Sequence, residues 1–331
     1  MTDSGSREAP PFAGLNPDSI LTAVESTGLC CDGRLLALNS YENRVYQVGI
    51  EDKAPVVVKF YRPNRWSDAA ILEEHAFSQE LADHEIPVVP PLRLGGNTLH
   101  HAEGFRLAVF PRRGGRMPDL DQGDNRLWIG RYLGRLHAVG AVRPFRERAT
   151  FSVSDRGHGS LETILNCGYL PTSLARTFES VALDVLQRIE QSWQRGGGYT
   201  PIRLHGDCHL GNILWTDHGP HIVDLDDAVS GPAMQDLWML LSGDRSEMQA
   251  QILDILEGYE EFFAFDPVQL HLLEALRSLR MLYHAAWLAR RWHDPAFPLA
   301  FPWFAESRYW EEQILALREQ MALLDEPPLQ I

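Results

Sequence analysis

Three of the oxygen-bearing side chains between residues 204 and 227 could meet at one site, in a segment where short apolar runs alternate with polar turns. Asp207 and Asn212 lie in the turn after the first run, and Asp224 follows the third run. Apolar runs bounded by Gly, Pro and Asp are typical of short buried strands, so we expect these side chains at strand ends. The turn at residues 217–220 folds two strands back on each other, which lets the three side chains converge. Two carboxylates and an amide oxygen suit Mg²⁺, which binds hard oxygen ligands.

The same segment contains nitrogen and sulfur atoms that would suit a different metal. His205, Cys208 and His209 are the residue types of a zinc site. Two histidines four residues apart share a face only on a helix, and Gly206 and Gly211 disfavour a helix here. We therefore interpret His205 as structural support for the loop and keep zinc as the less favoured alternative.

A small sheet is predicted upstream of this segment. Three apolar runs indicate its first strands, at residues 35–38, 45–48 and 56–61. The third run is rich in β-branched residues, which favour strands, yet it contains Lys59. A lysine among valine and phenylalanine is either a charge at a sheet edge or a cation placed for binding. A hairpin is predicted next, pairing residues 92–94 with residues 105–110.

A helix is predicted over residues 69–81, where apolar side chains recur at helical spacing. Glu74 shares a face with Phe77 and Leu81, since residues three and seven apart lie on one side of a helix. Glu73 lies one residue earlier and is the close rival for any role given to Glu74. Both also fit the ordinary pattern of exposed helix glutamates.

The chain changes character at residues 110–115, where an apolar strand gives way to a polar, glycine-rich segment. We expect residues 1–15 to be a flexible arm, residues 16–111 an N-terminal lobe with an antiparallel sheet, and residues 112–331 a larger, mainly helical lobe. Amphipathic helices are predicted over residues 125–139, 172–193, 246–263, 267–293 and 306–324. The predicted fold class is α+β.

Length, charge and cysteine usage narrow the possible functions. The 331 residues carry a formal net charge of −15, which disfavours nucleic acid or an anionic membrane as a partner. The acidity either favours a cationic substrate or serves solubility. No run of about 18 uncharged apolar residues occurs, and the N-terminus has no signal pattern. The four cysteines do not indicate a disulfide framework. We expect a cytoplasmic monomer.

The spacing of the polar side chains resembles a known catalytic pattern. Residues 205–214 follow the pattern His-Gly-Asp-x-His-x-Gly-Asn-Ile-Leu. This is similar to the aminoglycoside phosphotransferase and choline kinase branch of the kinase-like superfamily. The resemblance implies a two-lobed protein-kinase-like fold that transfers phosphoryl groups from ATP with Mg²⁺. A closer likeness to bacterial stress-response serine/threonine kinases is carried by residues 38–47, 58–63, 71–75, 203–209, 231–241 and 326–330.

The resemblance implies a role for each polar residue of the catalytic segment. Asp207 would accept the proton of the acceptor hydroxyl, and Asn212 and Asp224 would hold Mg²⁺ on the phosphates. Asp236 follows a Gly-Pro turn, and in this superfamily such an aspartate accepts backbone hydrogen bonds from the catalytic loop. Asp236 and His205 are therefore expected to support the loop.

The resemblance also implies the nucleotide-binding residues of the first lobe. Lys59 would bind the α- and β-phosphates and pair with Glu74, with Glu73 as the alternative, and Phe110 would line the adenine pocket. No glycine-rich loop lies between the first two strands, and no Walker A motif occurs. The loop between those strands would cover the phosphates instead. Ser40 would then lie near the γ-phosphate, as an ATP contact and a candidate autophosphorylation site.

Three functions fit these residues. We expect a serine/threonine protein kinase of a bacterial stress response, with ATP and an unidentified protein as partners. A kinase of a small hydroxyl compound, of the aminoglycoside, choline or homoserine type, fits the same motif. A non-catalytic nucleotide-binding scaffold is the third, and the joint presence of Lys59, Asp207, Asn212 and Asp224 argues against it.

Overall fold

The computed structural model describes residues 10–217 and 219–331, and the chain divides into two compact units. Of the described residues, the smaller unit comprises residues 10–75, 90–112 and 291–302. The larger unit comprises residues 76–89, 113–290 and 303–331.

The described residues form helices α1 to α10 and strands β1 to β9. The helices are Pro17–Glu25, Asp68–Asp83, Asn125–Gly140, Gly159–Asn166, Thr172–Gly196, Met234–Leu237, Arg245–Tyr259, Leu273–Arg291, Ala296–Ala300 and Ser307–Leu324. The strands are Cys31–Leu38, Arg44–Ile50, Lys53–Phe60, His100–Ala102, Phe105–Pro111, Ile202–Leu204, Ile213–Thr216, Gly219–Ile222 and Val229–Gly231. None of these helices is both long and apolar enough to cross a membrane.

The smaller unit is built on a five-stranded antiparallel sheet in the order β1-β2-β3-β5-β4. Its central strand β3 is covered on both faces, because alternate side chains of a strand point to opposite sides. Val58 and Phe60 are fully buried in a core shared with α1. Lys59 points to the other face, opposite Ala108 of β5, which packs in a second core with Ile71 of α2.

The start of α1 follows from local sequence. Asn16 and Ser19 exchange side chain to backbone hydrogen bonds in a capping box, and Pro17 occupies the first turn, where no N–H partner is needed. Of the predicted arm at residues 1–15, the first nine residues lie outside the described residues. Phe12 and Leu15 pack against the core of the sheet.

The hairpin that contains β5 differs from the predicted one. β5 pairs with β4 across a turn at Glu103 and Gly104, both of which have positive φ, 51° and 77°. Of the predicted partner strand, Leu92 donates one backbone hydrogen bond to β5, to the carbonyl oxygen of Val109 at 2.7 Å. The turn was missed because a non-glycine residue with positive φ is uncommon and has little sequence signature.

The larger unit is mainly helical and contains two short ladders, β6 with β9 and β7 with β8. Helices α3 and α7 cross closely, because glycines lie where their backbones meet. A Cβ atom at Gly134 would collide with the carbonyl oxygen of Tyr259, and one at Gly258 would collide with that of Leu127. This crossing fixes the distance between the two helices.

The predicted α+β fold class is confirmed, with the antiparallel sheet in the smaller unit and helices forming most of the larger one. The division differs from the predicted boundary in two places. The second half of α2 belongs to the larger unit, where Phe77 packs on Phe145 with 5.3 Å between ring centroids. Residues 291–302 belong to the smaller unit, where Asp294 binds Arg62 at 2.7 Å.

We expect Gly134→Ala to lower the free energy of unfolding by on the order of 2 kcal/mol, because overpacking a tight contact costs about 1–3 kcal/mol. Urea unfolding measures this loss, beside the control Gly198→Ala, whose Cβ would meet no atom within 4 Å. Equal stability of the two variants would contradict the close crossing of α3 and α7.

Candidate active site

The segment that carries Asp207 begins at β6, whose residues are all buried and pair with β9. The chain then turns at Gly206, which has a φ of 86°. A side chain is strained at this φ, and its Cβ would also collide with the carbonyl oxygen of Asp227. Glycine therefore lets the loop pack closely while Asp207 emerges from the buried strand.

Hydrogen bonds link Asp207 to Asn212, and Asn212 to the residue before Asp224. The Asn212 side chain donates from Nδ2 to the carbonyl oxygen of Asp207 at 3.0 Å. The carbonyl oxygen of Asn212 accepts from the N–H of Val223 at 3.0 Å, and Asp224 follows Val223 directly. The structure thus brings Asp207, Asn212 and Asp224 together at one end of the β7–β8 hairpin.

The donor set at this hairpin end fits Mg²⁺. Because Nδ2 of Asn212 is engaged, Oδ1 is the amide atom left to face a cation. Asp224 is exposed and has φ 64° and ψ 62°, a left-handed conformation that aspartate adopts more readily than most residues. Among the described residues, no three His, Cys, Asp or Glu side chains are grouped to hold a metal. Asn212 and Asp224 would be two protein ligands of an ion that completes its coordination with phosphate and water.

The zinc alternative does not fit this segment. His205 uses both ring nitrogens, because Nδ1 accepts from the N–H of Asp207 at 3.3 Å and Nε2 donates to the carbonyl oxygen of Val223 at 2.9 Å. Burial, with added repulsion from Asp236 and Asp207, raises the pKa of the Cys208 thiol well above its ordinary value. Zinc requires the thiolate. The contacts of His205 are those of a residue that holds the loop in shape.

A fully buried carboxylate, that of Asp236, holds the start of the loop. It accepts from the backbone N–H groups of His205 and Gly206, both at 2.8 Å. It also accepts from Nε2 of His137 at 3.1 Å, while Nδ1 of His137 bonds the hydroxyl of Tyr259 at 2.7 Å. Burial alone would raise the pKa of Asp236, but these donors hold it below its ordinary value. Asp236 is therefore an ionised acceptor at neutral pH.

Arg280 of α8 makes an ion pair with the candidate base. Its Nη1 donates to Oδ1 of Asp207 at 2.7 Å. The Arg280 side chain is 40% exposed and that of Asp207 18% exposed, so the pair lies at the surface of the loop rather than in the core. The carboxylate predicted to accept a proton is thus held by a cation in this structure.

In the smaller unit, Lys59 and Glu74 are both buried, at 7% and 3% exposure. The Lys59 ammonium lies 5.9 Å from the ring centroid of Tyr61 and 5.7 Å from that of Phe110, contacts that favour a buried cation. Glu73 is only partly buried. Burial therefore favours Glu74 as the partner of Lys59, and that pairing stays a prediction.

The loop between β1 and β2, predicted to cover the phosphates, is held by ion pairs instead of glycines. Glu42 binds Arg62 at 3.1 Å and Arg291 at 2.8 Å. Arg62 is 2% exposed and also binds Asp294 at 2.7 Å. The hydroxyl of Ser40 donates to a backbone carbonyl oxygen of the loop at 3.2 Å. Ser40 thus lies on a loop whose shape is fixed by its neighbours.

Sequence reasoning missed three sets of contacts around these residues. The ion pairs of Arg280 and Asp294 have no local signal, because their partners lie 73 and 232 residues away along the chain. His137 and Tyr259 were also missed as partners of Asp236. Only His137 had a signal, since the end of its helix resembles the one that precedes the catalytic loop in related kinases.

We expect Asp236→Ala to lower the free energy of unfolding by about 3–5 kcal/mol, because removing one partner of a buried charged network leaves the others buried without a partner. Urea unfolding would measure this, with the exposed α7 residue change Asp254→Ala as control. A stability within about 0.5 kcal/mol of the control, the usual range for surface changes, would show that the network does not hold the loop.

The Cys208 thiol is expected to resist modification, because it is buried and its raised pKa keeps it protonated. Iodoacetamide labelling of the native protein, read by peptide mass, should modify the exposed Cys30 and spare Cys208. Labelling in urea should modify both. Native labelling of Cys208 as fast as Cys30 would mean that the loop opens readily.

Named proteins are similar to this chain over nearly its whole length. Residues 34–273 match the phosphotransferase enzyme family. Stress response kinase A of Escherichia coli O157:H7 is 45% identical over 320 residues, which cover 97% of each chain. Serine/threonine protein kinase RdoA of Salmonella typhimurium is also 45% identical over 320 residues and 97% of each chain.

Solved structures of small-molecule kinases share the fold. An amicoumacin kinase in complex with AMP-PNP, Ca²⁺ and Ami superposes with a TM-score of 0.70 at 20% identity, over 95% of each chain. A microcompartment-associated aminopropanol kinase reaches 0.67 at 16% identity, over 92% of this chain and 96% of that one. Identities this low establish the fold alone. The family match and the full-length relatives show that this chain belongs to the phosphotransferase enzyme family, in the group of stress response kinase A.

Proposed function

We propose that the chain is a serine/threonine protein kinase of a bacterial stress response, which transfers the γ-phosphoryl group of ATP to a protein hydroxyl. The observation that carries the proposal is the joining of Asp207, Asn212 and Asp224 at one hairpin end. A base and two oxygen ligands for a cation are what phosphoryl transfer requires. The choice of a protein acceptor rests on the relatives at 45% identity over 97% of the chain.

The residues of the larger unit act on the acceptor. Asp207 orients the acceptor hydroxyl and takes its proton as the oxygen attacks the γ-phosphorus. Asn212 supports Asp207 through its hydrogen bond to the backbone. Asp236 keeps the turn before Asp207 fixed, so the backbone that carries the base is already in place when the acceptor arrives. Asn212 and Asp224 are the residues that would hold Mg²⁺, which when bound neutralises charge on the phosphates.

The residues of the smaller unit act on the nucleotide. Lys59 is a buried cation suited to the α- and β-phosphates, and Glu74 is the proposed residue that orients it. Phe110 supplies an apolar ring close to the Lys59 ammonium. Ser40 and its loop offer hydroxyl and backbone donors to the γ-phosphate. Because ion pairs already fix the loop, it loses little conformational entropy when ATP binds.

A small-molecule kinase is the second candidate, and the fold neighbours favour it. Both solved structures named above are kinases of small molecules, and they cover nearly all of this chain. Their identities of 20% and 16% are far below that of the protein-kinase relative. The choice between a protein and a small-molecule acceptor therefore has to be tested by measuring phosphoryl transfer to each.

The test is incubation of the purified protein with γ-labelled ATP and Mg²⁺, alone, with a generic protein acceptor and with aminopropanol. We expect label on protein, reduced at least about a hundredfold by Asp207→Ala with little change in ATP affinity, since the base acts mainly in the transition state. Asp224→Ala should weaken Mg²⁺-dependent ATP binding, and the exposed control Asp254→Ala should change neither. Label on aminopropanol alone would favour the second candidate, and absence of ATP binding would contradict both.

The same incubation tests Ser40 as an autophosphorylation site. Phosphopeptide mapping of wild-type protein should find phosphate on Ser40, and Ser40→Ala should lose that peptide's label. Label confined to other residues would remove Ser40 as a modification site and leave its proposed contact with ATP in place.

A further inference from the structure

Helix α8 has two faces of different chemistry. Its buried side is formed by small and aliphatic side chains, among them Ala275, Leu279, Leu282 and Ala286. Arg280, Tyr283 and Arg290 recur at intervals of three and seven residues on the side of the helix next to it, and all three are only partly buried. Arg156, from a π-helical turn at Ser154–His158, packs against the same side. We call Arg156, Arg280, Tyr283 and Arg290 the arginine face.

Tyr283 is the centre of the arginine face. The Arg156 guanidinium lies 4.0 Å from its ring centroid, and the Arg290 guanidinium lies 5.2 Å from it. Guanidinium groups stack on aromatic rings and still present N–H donors at their edges. Arg156 is half-buried, and no carboxylate among the described residues forms an ion pair with it. The stacking therefore holds a cation whose charge is not neutralised by a neighbour.

Arg280 connects the arginine face to the candidate base. It binds Asp207 at 2.7 Å, while the nearby Arg277 is already paired with Glu274 at 3.1 Å. Burial, together with the positive charge of Arg280, lowers the pKa of His284 to about 4, so His284 adds no charge of its own at neutral pH. Arg280 is therefore the guanidinium of the arginine face that reaches Asp207, on a chain whose net charge is −15.

From this charge pattern we infer that the arginine face selects a peptide acceptor that has a carboxylate side chain next to the serine or threonine to be phosphorylated. The acidic side chain binds Arg280 and Arg156. The Arg280 guanidinium thereby exchanges its contact with Asp207 for one with the peptide carboxylate. Asp207 is then released to face the acceptor hydroxyl. The inference rests on the proposed function and narrows its substrate class to acidic segments.

Phosphoryl transfer to this acceptor forms one bond to phosphorus and breaks another. The acceptor oxygen forms a bond to the γ-phosphorus, and the bond between that phosphorus and the β–γ bridging oxygen breaks. ADP leaves with the bonding electron pair, and the hydroxyl proton passes to the Asp207 carboxylate and then to solvent. Arg280 donates to Oδ1 of Asp207 in the structure, so the incoming acidic side chain frees that oxygen for the acceptor hydroxyl.

The same charges disfavour an amine acceptor. An ammonium group brought beside Asp207 would lie near the Arg280 guanidinium, and like charges in contact cost binding free energy. A kinase for polycationic acceptors would need carboxylates at these positions. The arginine face is thus a specificity element that separates the two acceptor classes considered above.

The test is a comparison of kcat/KM for three serine peptides of one length, with glutamate, alanine or lysine on both sides of the serine. We expect the glutamate peptide to exceed the lysine peptide by at least about tenfold, a ratio typical of one close charged contact. Arg280→Glu should abolish or invert this ratio and Arg280→Lys should keep most of it. Arg308→Glu, an exposed change on α10, should leave it unchanged.

Arg156→Glu tests the same surface from a different element, so the inference does not depend on the folding of one variant. It should also lower the ratio of glutamate to lysine peptide, without affecting ATP affinity. Equal kcat/KM for the three peptides in the wild type would overturn the inference and leave the protein-kinase function standing. Transfer to none of the peptides, with transfer to aminopropanol, would overturn the proposed function and the inference with it.

Discussion

One buried carboxylate holds the catalytic segment in its shape. Asp236 receives the N–H groups of two successive residues, His205 and Gly206, at a turn that has no regular secondary structure to satisfy them. A buried backbone donor without an acceptor is costly, so the turn exists only because the carboxylate lies beneath it. The carboxylate in turn stays ionised because His137 and the two N–H groups donate to it. The position of Asp207 therefore depends on Asp236 and on the groups that donate to it.

The two units fix their polar groups by different means. In the larger unit, the hairpin end that holds Asn212 and Asp224 is positioned by backbone hydrogen bonds and by a glycine turn. In the smaller unit, the loop with Ser40 is positioned by buried ion pairs that involve Arg62 and Asp294. A glycine-rich loop adapts to its ligand, whereas a loop held by buried ion pairs is already shaped, since breaking one such pair is expensive.

Patterns that depend on near neighbours were predictable from the sequence. Periodicity and turn residues predicted the strand with Lys59 and the helix with Glu74. They also predicted the strand ends that carry Asp207 and Asp224, and the α+β class. Contacts between distant parts of the chain were not, because no local pattern encodes the partner of Arg280 or Asp294. The β4–β5 turn was not predicted for a different reason, because Glu103 adopts a conformation that its residue type rarely shows.

Tyr259 takes part in two of the features described for the larger unit. Its carbonyl oxygen lies where a side chain at position 134 would extend, and its hydroxyl ends the hydrogen-bond chain that reaches Asp236. The separation of α3 and α7 and the geometry of the catalytic turn therefore share one residue. Substitutions at this helix crossing cannot be sorted into those that affect folding and those that affect turnover, because the same displacement produces both.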